Sequence, residues 1–334
     1  MRDLDFSHED VERASRYHRP LYTVTVVKLL LAVLVYSLLA WTWFGDRLWG
    51  VVDGLGWAGA AAAWAAVVVA VATLVRLPLE LWRGLVYERR WGFSTQSARG
   101  WAGDQAKGLA VGLVLAAAVW VAAVGLARAF PRSWWLPAAV GLALLTVLLS
   151  FIAPVVLEPL FNRFEPLADG ELAADLRRLA VDAGVPVADI LVADASKRTT
   201  KSNAYVSGLG ATRRVVLWDT LLRSAGAREV KLVIAHELGH RRERHAAKLT
   251  ALFVAGGIVG VLVLRAVLGT PGARDLPLAL LLFTGLELAG LPLLMAVSRR
   301  WERVADRWSL DLTKDLAAFE QAHAGLARDN LSDL

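Results

Sequence analysis

The sequence predicts a mainly α-helical, polytopic membrane protein of about six spans, interrupted by one polar α+β insert. Three observations carry this expectation. Hydrophobic residues make up 56% of the 334-residue chain, well above the share in soluble domains. Six apolar stretches, at about 21–44, 57–82, 108–130, 134–157, 248–268 and 276–297, reach the roughly 20 residues that a spanning helix needs. Between the fourth and fifth lies a polar stretch, 158–247, whose short periodicities read as helix and strand rather than membrane. The chain therefore divides into an N-terminal membrane part (1–157, four spans), the insert (158–247), a transmembrane hairpin (248–298) and a C-terminal helix (299–334).

The first apolar run, Leu21 to Phe44, is too long for a signal-peptide core, and no small-residue cleavage site follows it. Trp41, Trp43 and Trp49 read as interfacial anchors. The Ala-rich stretch 58–72 is membrane helix. Orientation follows from the basic residues. Arg2, Arg13, Arg16 and Arg19 precede the first span, and Arg83, Arg89, Arg90, Arg99 and Lys107 fill the second connection. Arg299, Arg300, Arg303 and Arg307 follow the sixth span, whereas the loop 45–56 carries only Arg47. The positive-inside rule then puts both termini, the 83–107 loop and the insert on the cytoplasmic side. The Arg-rich, Lys-poor composition points to a GC-rich bacterial genome, hence to a bacterial cytoplasmic membrane. The net charge of +6 sits beside the apolar segments, where it faces anionic headgroups of the lipid bilayer. That distribution argues against nucleic acid as a partner. The chain has no cysteine, which excludes disulfides and thiolate metal sites, so any metal must take His and carboxylate ligands.

Within the insert, Leu172, Leu176 and Leu179 recur at helical spacing from Glu171 to Ala183, and Gly184 ends that helix. Ile190 to Ala193 reads as a short strand. Asn203–Leu209 and Arg214–Trp218 read as a hairpin, with Gly210, Ala211 and Thr212 at its turn. Asp219 is expected to cap a short helix. Glu229 then begins a longer helix, expected to run without a break into the fifth span.

That helix carries His236-Glu237-Leu238-Gly239-His240, an HExxH pattern. Two histidines four apart lie one above the other on a helical face, so both imidazoles can reach a single Zn²⁺, and the intervening glutamate can take a proton from a zinc-activated water. A catalytic zinc needs a third protein ligand and one open position. The metzincin extension would require Gly and His at 243 and 246, where this chain has Glu243 and Ala246. His245 is one position off and reads as a residue behind the ligands and their immediate partners, or as a merely interfacial one, rather than as a ligand. The better candidate is Glu302, in the sequence Glu302-Arg303-Val304-Ala305-Asp306 just after the sixth span. A hairpin that crosses the bilayer and returns brings the end of its second arm beside the start of its first. Asp306, one turn beyond Glu302, is placed to accept a hydrogen bond from the non-ligating nitrogen of a zinc histidine. The alternative is that Glu302 and Asp306 form a solvated acidic face that pairs with the neighbouring arginines. In the catalytic reading Glu237 is the general base. Asn203, at the start of the hairpin, is a candidate donor to the oxyanion, and the hairpin edge a candidate partner for an extended peptide. His8, His18 and His323 are isolated and read as surface residues.

The chain resembles the type I CAAX prenyl endopeptidases, integral-membrane zinc proteases of the gluzincin type. The resemblance covers most of the chain after residue 75. It rests on Tyr87-Glu88-Arg89-Arg90-Trp91-Gly92-Phe93 with Gln96, Asp104 and Lys107, on Ile152-Ala153-Pro154, and on Pro159-Leu160-Phe161-Asn162-Arg163-Phe164. It continues through Ser196-Lys197-Arg198, Ser202-Asn203-Ala204-Tyr205 and the stretch Arg214 to Leu222, and ends with the HExxH and ExxAD motifs. The resemblance implies one zinc on His236, His240 and Glu302, Glu237 as base, Asn203 as a substrate or oxyanion contact, and helices enclosing a water-filled chamber. It implies a peptide or protein substrate, C-terminally prenylated in the family. Two departures stand out. The best-known eukaryotic members have seven spans against six here, and the family pattern continues past Asp329-Asn330-Leu331 to a His-Pro segment, whereas this chain stops at Leu334. If that segment is cut off, activity is expected to be weak and zinc binding retained. Three functions compete. The first is a membrane zinc endopeptidase, in CAAX-type processing or membrane-protein quality control. The second is a site-2-type intramembrane protease, disfavoured because charged residues follow HExxH directly. The third is a non-catalytic zinc-stabilised scaffold or chaperone, which has no need of Glu237.

Overall fold

The computed structural model describes residues 6–208 and 213–333. It contains six helices long and apolar enough to cross a membrane. In chain order these are α1 (His8–Trp41), α2 (Gly56–Leu81), α3 (Ala98–Ala129) and α4 (Trp135–Ile152). The insert then supplies α5 (Glu171–Asp182), α6 (Asp219–Ser224) and α7 (Ala227–Arg242). The last two spans, α8 (His245–Leu268) and α9 (Leu276–Thr313), follow, and α10 (Leu316–Asn330) closes the chain. Each span packs on its neighbours in sequence among the six, and the sixth returns to the first, so the spans close into a ring. Lys28 and Glu80, on the first two spans, pair with each other within the apolar stretch, as charges at membrane depth must.

At the end of the ring far from the insert, three buried indoles hold the connection between α8 and α9. Trp64, Trp120 and Trp134 donate to the carbonyls of Arg274, Ala273 and Gly269 at 3.1, 2.8 and 2.8 Å. A loop at the rim of a membrane cannot leave its carbonyls unpaired, and indole N–H groups reach them from an apolar wall. Of the three tryptophans expected as anchors, Trp41 and Trp43 are exposed, but Trp49 packs edge-on against Trp64. The opposite end carries the insert and most of the ion pairs. There Arg198 of the insert pairs with Asp104 at the start of α3 at 2.7 Å. Tyr17 of α1 donates to Glu88 at 2.8 Å. The N-terminal helix, the 83–107 segment, the insert and α10 thus share one end of the ring, as the arrangement of basic residues predicts. Of the three spans that lead into this end, the second and fourth finish in a π-helical turn, Trp82–Tyr87 and Ala153–Leu157.

The insert folds around a four-stranded sheet of order β1-β2-β4-β3, with β1 Phe164–Pro166, β2 Asp189–Ala193, β3 Ala204–Ser207 and β4 Arg214–Trp218. The predicted hairpin is present as the antiparallel β3–β4 pair, Ala204 opposite Leu217. Its expected turn residues lie outside the described residues. β4 also pairs in parallel with β2, and the short β1 adds an edge that no sequence pattern announced. Leu176 and Leu179 of α5, Val215 and Leu217 of β4, and Ile234 and Leu238 of α7 form the insert's core. Burying this face of α7 turns its opposite face, with both histidines, outward from the core.

Two local expectations are corrected. Asp219 is the first residue of α6 and makes no cap bond. Its carboxylate instead accepts from the Ser196 N–H at 2.9 Å and pairs with Arg223. The HExxH helix does not run on into the fifth span. It stops at Arg242, Arg244 takes a left-handed conformation with φ of 55°, and α8 starts afresh at His245. A non-glycine residue in that region is uncommon and redirects the chain sharply.

Candidate active site

His236 and His240 point the same way from α7, and their Nε2 atoms lie 3.0 Å apart. Glu302, on α9, brings one carboxylate oxygen to 3.3 Å from His236 Nε2 and 3.5 Å from His240 Nε2. A tetrahedral zinc with ligands at 2.0–2.1 Å has edges of about 3.3–3.4 Å. The three observed separations scatter around that length, so the donor set fits such an ion in both chemistry and spacing. What lets α9 come so close is Gly239. A Cβ there would meet Ala305 Cα and O at 3.3 Å and Trp308 at 3.4 Å.

The other ring nitrogens are held too. His236 Nδ1 lies 2.9 Å from Asp306 Oδ1, one turn beyond Glu302 on α9. His240 Nδ1 lies 2.9 Å from His245 Nδ1. If His240 is to offer its Nε2 lone pair to a metal, its Nδ1 carries the proton and donates it, and His245 must accept as a neutral ring. His245 is buried and stacks on Trp301, with ring centroids 4.9 Å apart. The break at Arg244 makes this contact possible, since it restarts the helix with His245 folded back toward α7. The reading of His245 as a mere interfacial residue is therefore corrected.

His323 is the larger surprise. Read from sequence as an isolated surface residue, it is half-buried on α10 with Nε2 3.2 Å from Asp306 Oδ1 and Nδ1 donating to Phe319 O at 3.0 Å. Asp306 thus bridges His323 and His236. His18 is also engaged, against the Leu331 carbonyl at 2.6 Å. Nothing in the local sequence of α10 marks His323, because its role depends on where α10 lies against α7 and α9.

Glu237 and Asn203 face one cleft of about 160 Å³, together with His236, His323 and Asn330. Burial raises the Glu237 carboxyl above the usual carboxylate range, partly offset by the charges of His236 and His240. A shift in this direction brings a carboxylate nearer to the pKa of a useful proton acceptor. At His236, burial acts to lower the pKa, but hydrogen bonds to Asp306 and Glu302 and the charge of Glu237 outweigh it and raise it to about 10. Asn203 Oδ1 accepts from the Ala204 N–H at 2.9 Å, which leaves the amide nitrogen as the donor toward the cleft. Asn330 holds the strand start like a neighbouring strand would: Ser202 N–H donates to its Oδ1 and its Nδ2 donates to Ser202 O, both at 2.9 Å. Among the described residues β3 pairs only with β4, so its other edge flanks the cleft.

The family described as "CAAX prenyl protease N-terminal, five membrane helices" matches residues 3–163, and "Peptidase family M48" matches residues 166–330. This chain belongs to peptidase family M48. Within residues 3–163 the described part of this M48 protein has four helices fit to span. It is 32% identical over 278 residues to a protein named uncharacterized metalloprotease YhfN of Bacillus subtilis, a match covering 79% of this chain and 65% of that one. CAAX prenyl protease 1 of Saccharomyces cerevisiae is 36% identical over 180 residues, covering 54% of this chain and 40% of the yeast protein. The chain thus spans less than two thirds of the length of these two relatives. The crystal structure of Ste24p from S. mikatae superposes with a TM-score of 0.83 at 25% identity, covering 98% of this chain and 83% of that one. The family is one of membrane metalloproteases, so a metal ion belongs to its chemistry.

Proposed function

We propose that this chain is a zinc-dependent membrane endopeptidase in which His236, His240 and Glu302 hold one zinc ion and Glu237 is the general base. The observation that carries the reading is the convergence of three donor atoms from two separate helices at tetrahedral spacing, beside a buried glutamate facing a cleft. Zinc so held would supply Lewis-acid polarisation of a scissile carbonyl and lower the pKa of a water. The remaining work falls to the chain. Glu237 takes the proton of the attacking water and delivers it to the leaving amine. The Asn203 amide donates to the developing oxyanion, and the outer edge of β3 aligns the substrate backbone in extended form. Asp306 fixes the ring of His236, and His245 that of His240.

The substrate class we propose is a peptide or protein in or at the bilayer, cut near its C-terminus as in CAAX processing of a prenylated chain, or cut during clearance of membrane proteins. We place the cleft on the cytoplasmic face of a bacterial membrane, because the basic residues cluster at that end of the ring. The test is turnover of a C-terminal CAAX-type reporter and of an unfolded membrane peptide by purified protein, wild type against Glu237→Gln. The expected result is a loss of at least about 10²-fold with metal content unchanged. Equal turnover in both proteins would remove Glu237 as base, and stoichiometric zinc with no turnover of either peptide would leave a scaffold.

A further inference from the structure

A second, much larger cavity lies on the other side of α7, where the insert meets α4 and α8. It measures about 1030 Å³. Four arginines line its upper end: Arg213, Arg241, Arg242 and Arg244. Among the described residues none of the four has a carboxylate within 4.0 Å. Arg213 donates to Pro186 O and Arg241 to Val206 O. Those carbonyls satisfy N–H groups but cancel no charge. Arg241 is half-buried. The guanidinium of Arg242 lies over Gly184, where an added Cβ would strike Nη1 at 2.6 Å. The left-handed turn at Arg244 follows directly on Arg241 and Arg242 at the end of α7, and all three line this one rim.

Below the arginines the lining is mainly apolar, with the hydroxyls of Ser150 and Thr250 bonded back to carbonyls of their own helices. Val147 and Phe151 of α4 face Val254, Ala255 and Ile258 of α8. Phe151 and Ile258 are exposed among the protein atoms, so this wall is open between the two spans. From Ala247 to Ile258 the lining of α8 runs about 16 Å along the helix axis, room for much of one acyl chain. Four like charges gathered around one space call for an anion, and an open apolar trough between two spans beneath them calls for a hydrocarbon chain. One molecule joins the two at this depth.

We propose that this groove is a binding site for an anionic phospholipid, with its phosphate among Arg213, Arg241, Arg242 and Arg244 and an acyl chain along α4 and α8. Basic pockets between spans at the interface bind such headgroups by charge. The site lies one helical turn from His240, and Arg241 ties it to Val206 of the edge strand.

The experiment measures binding of short-chain phosphatidylglycerol, phosphatidylcholine and inorganic phosphate to the full-length protein in uncharged detergent. Phosphatidylglycerol should bind well above phosphatidylcholine and far above phosphate. The double variant Arg242→Gln/Arg244→Gln should weaken phosphatidylglycerol by about thirtyfold, the effect of two interfacial charges. Arg90→Gln/Arg99→Gln, which removes two exposed arginines at the same end of the ring, should leave it unchanged. Ala255→Trp, which fills the trough and leaves every arginine in place, should abolish lipid binding. This second arm stands even if the double arginine variant fails to fold. Equal binding of both lipids, an equal loss in the Arg90/Arg99 control, or retained binding in Ala255→Trp would overturn the proposal. Phosphate binding as tightly as the lipid would make it a free-anion site.

Discussion

Gly239→Ala is the most telling single change, because it adds one methyl between the two helices that carry the proposed ligands. The new Cβ would sit 3.3 Å from Ala305 and 3.4 Å from Trp308, where ordinary contact is about 3.5–4.0 Å. Helix α9 must therefore shift by a few tenths of an ångström. Removing a glycine from the interior of α7 favours the helix by about 1 kcal/mol, while overpacking costs about 1–3 kcal/mol. The net effect on folding is small, a loss of roughly 0–2 kcal/mol from those two terms. The effect on chemistry is expected to be larger. Glu302 and Asp306 ride on the displaced segment, and a misplacement near 1 Å costs about 10²-fold, so a few tenths should cost about three- to tenfold in kcat/KM. The assay pairs reporter cleavage with zinc titration and thermal unfolding of the detergent-solubilised protein, using Gly256→Ala as control, since nothing lies within 4 Å of a Cβ there. Wild-type zinc affinity and wild-type kcat/KM in Gly239→Ala would refute the claim that this contact sets the position of Glu302.

Glu302→Ala should lower zinc affinity by well over 100-fold, and Asp306→Ala by about 10–100-fold, as losses of a ligand and of its orienting partner; metal analysis after dialysis at fixed free zinc gives the order, and the reverse order would reject the assignment. His245→Ala should weaken zinc by about tenfold and be partly rescued by Asn or Gln, which can still accept from His240, so a variant with unchanged affinity would leave His245 a packing residue only. In chelator-stripped protein, His236 with its pKa raised to about 10 contributes stability that is fully present below the unfolded value of about 6.5 and lost as pH rises through about 10. Zinc must displace that proton, so its affinity should climb over the same window; thermal unfolding with chelator and zinc titration from pH 6 to 10 check both signs, and flat profiles would contradict them.

The spans were legible because a bilayer admits few solutions, and long apolar runs are one of them. The HExxH pair was legible because its spacing is a property of a single helix, and Glu302 could be proposed because a returning hairpin is a topological constraint. What stayed hidden lives in contacts between elements. The stop at Arg244 defeats a helical pattern that continues through it. The three-residue β1 with Pro166 at its end is too short to show alternation. His323 and Asn330 lie on an unremarkable amphipathic helix and matter only through Asp306 and Ser202.

The proposed ligands are split, with both imidazoles before the membrane hairpin and the carboxylate after it. A chain emerging from the ribosome therefore holds half of a hydrolytic centre until α8 and α9 have threaded the lipid and α9 has come back against Gly239. Cutting power would switch on only once the compartment that confines it has been built, which spares the unfinished protein and its neighbours from premature digestion.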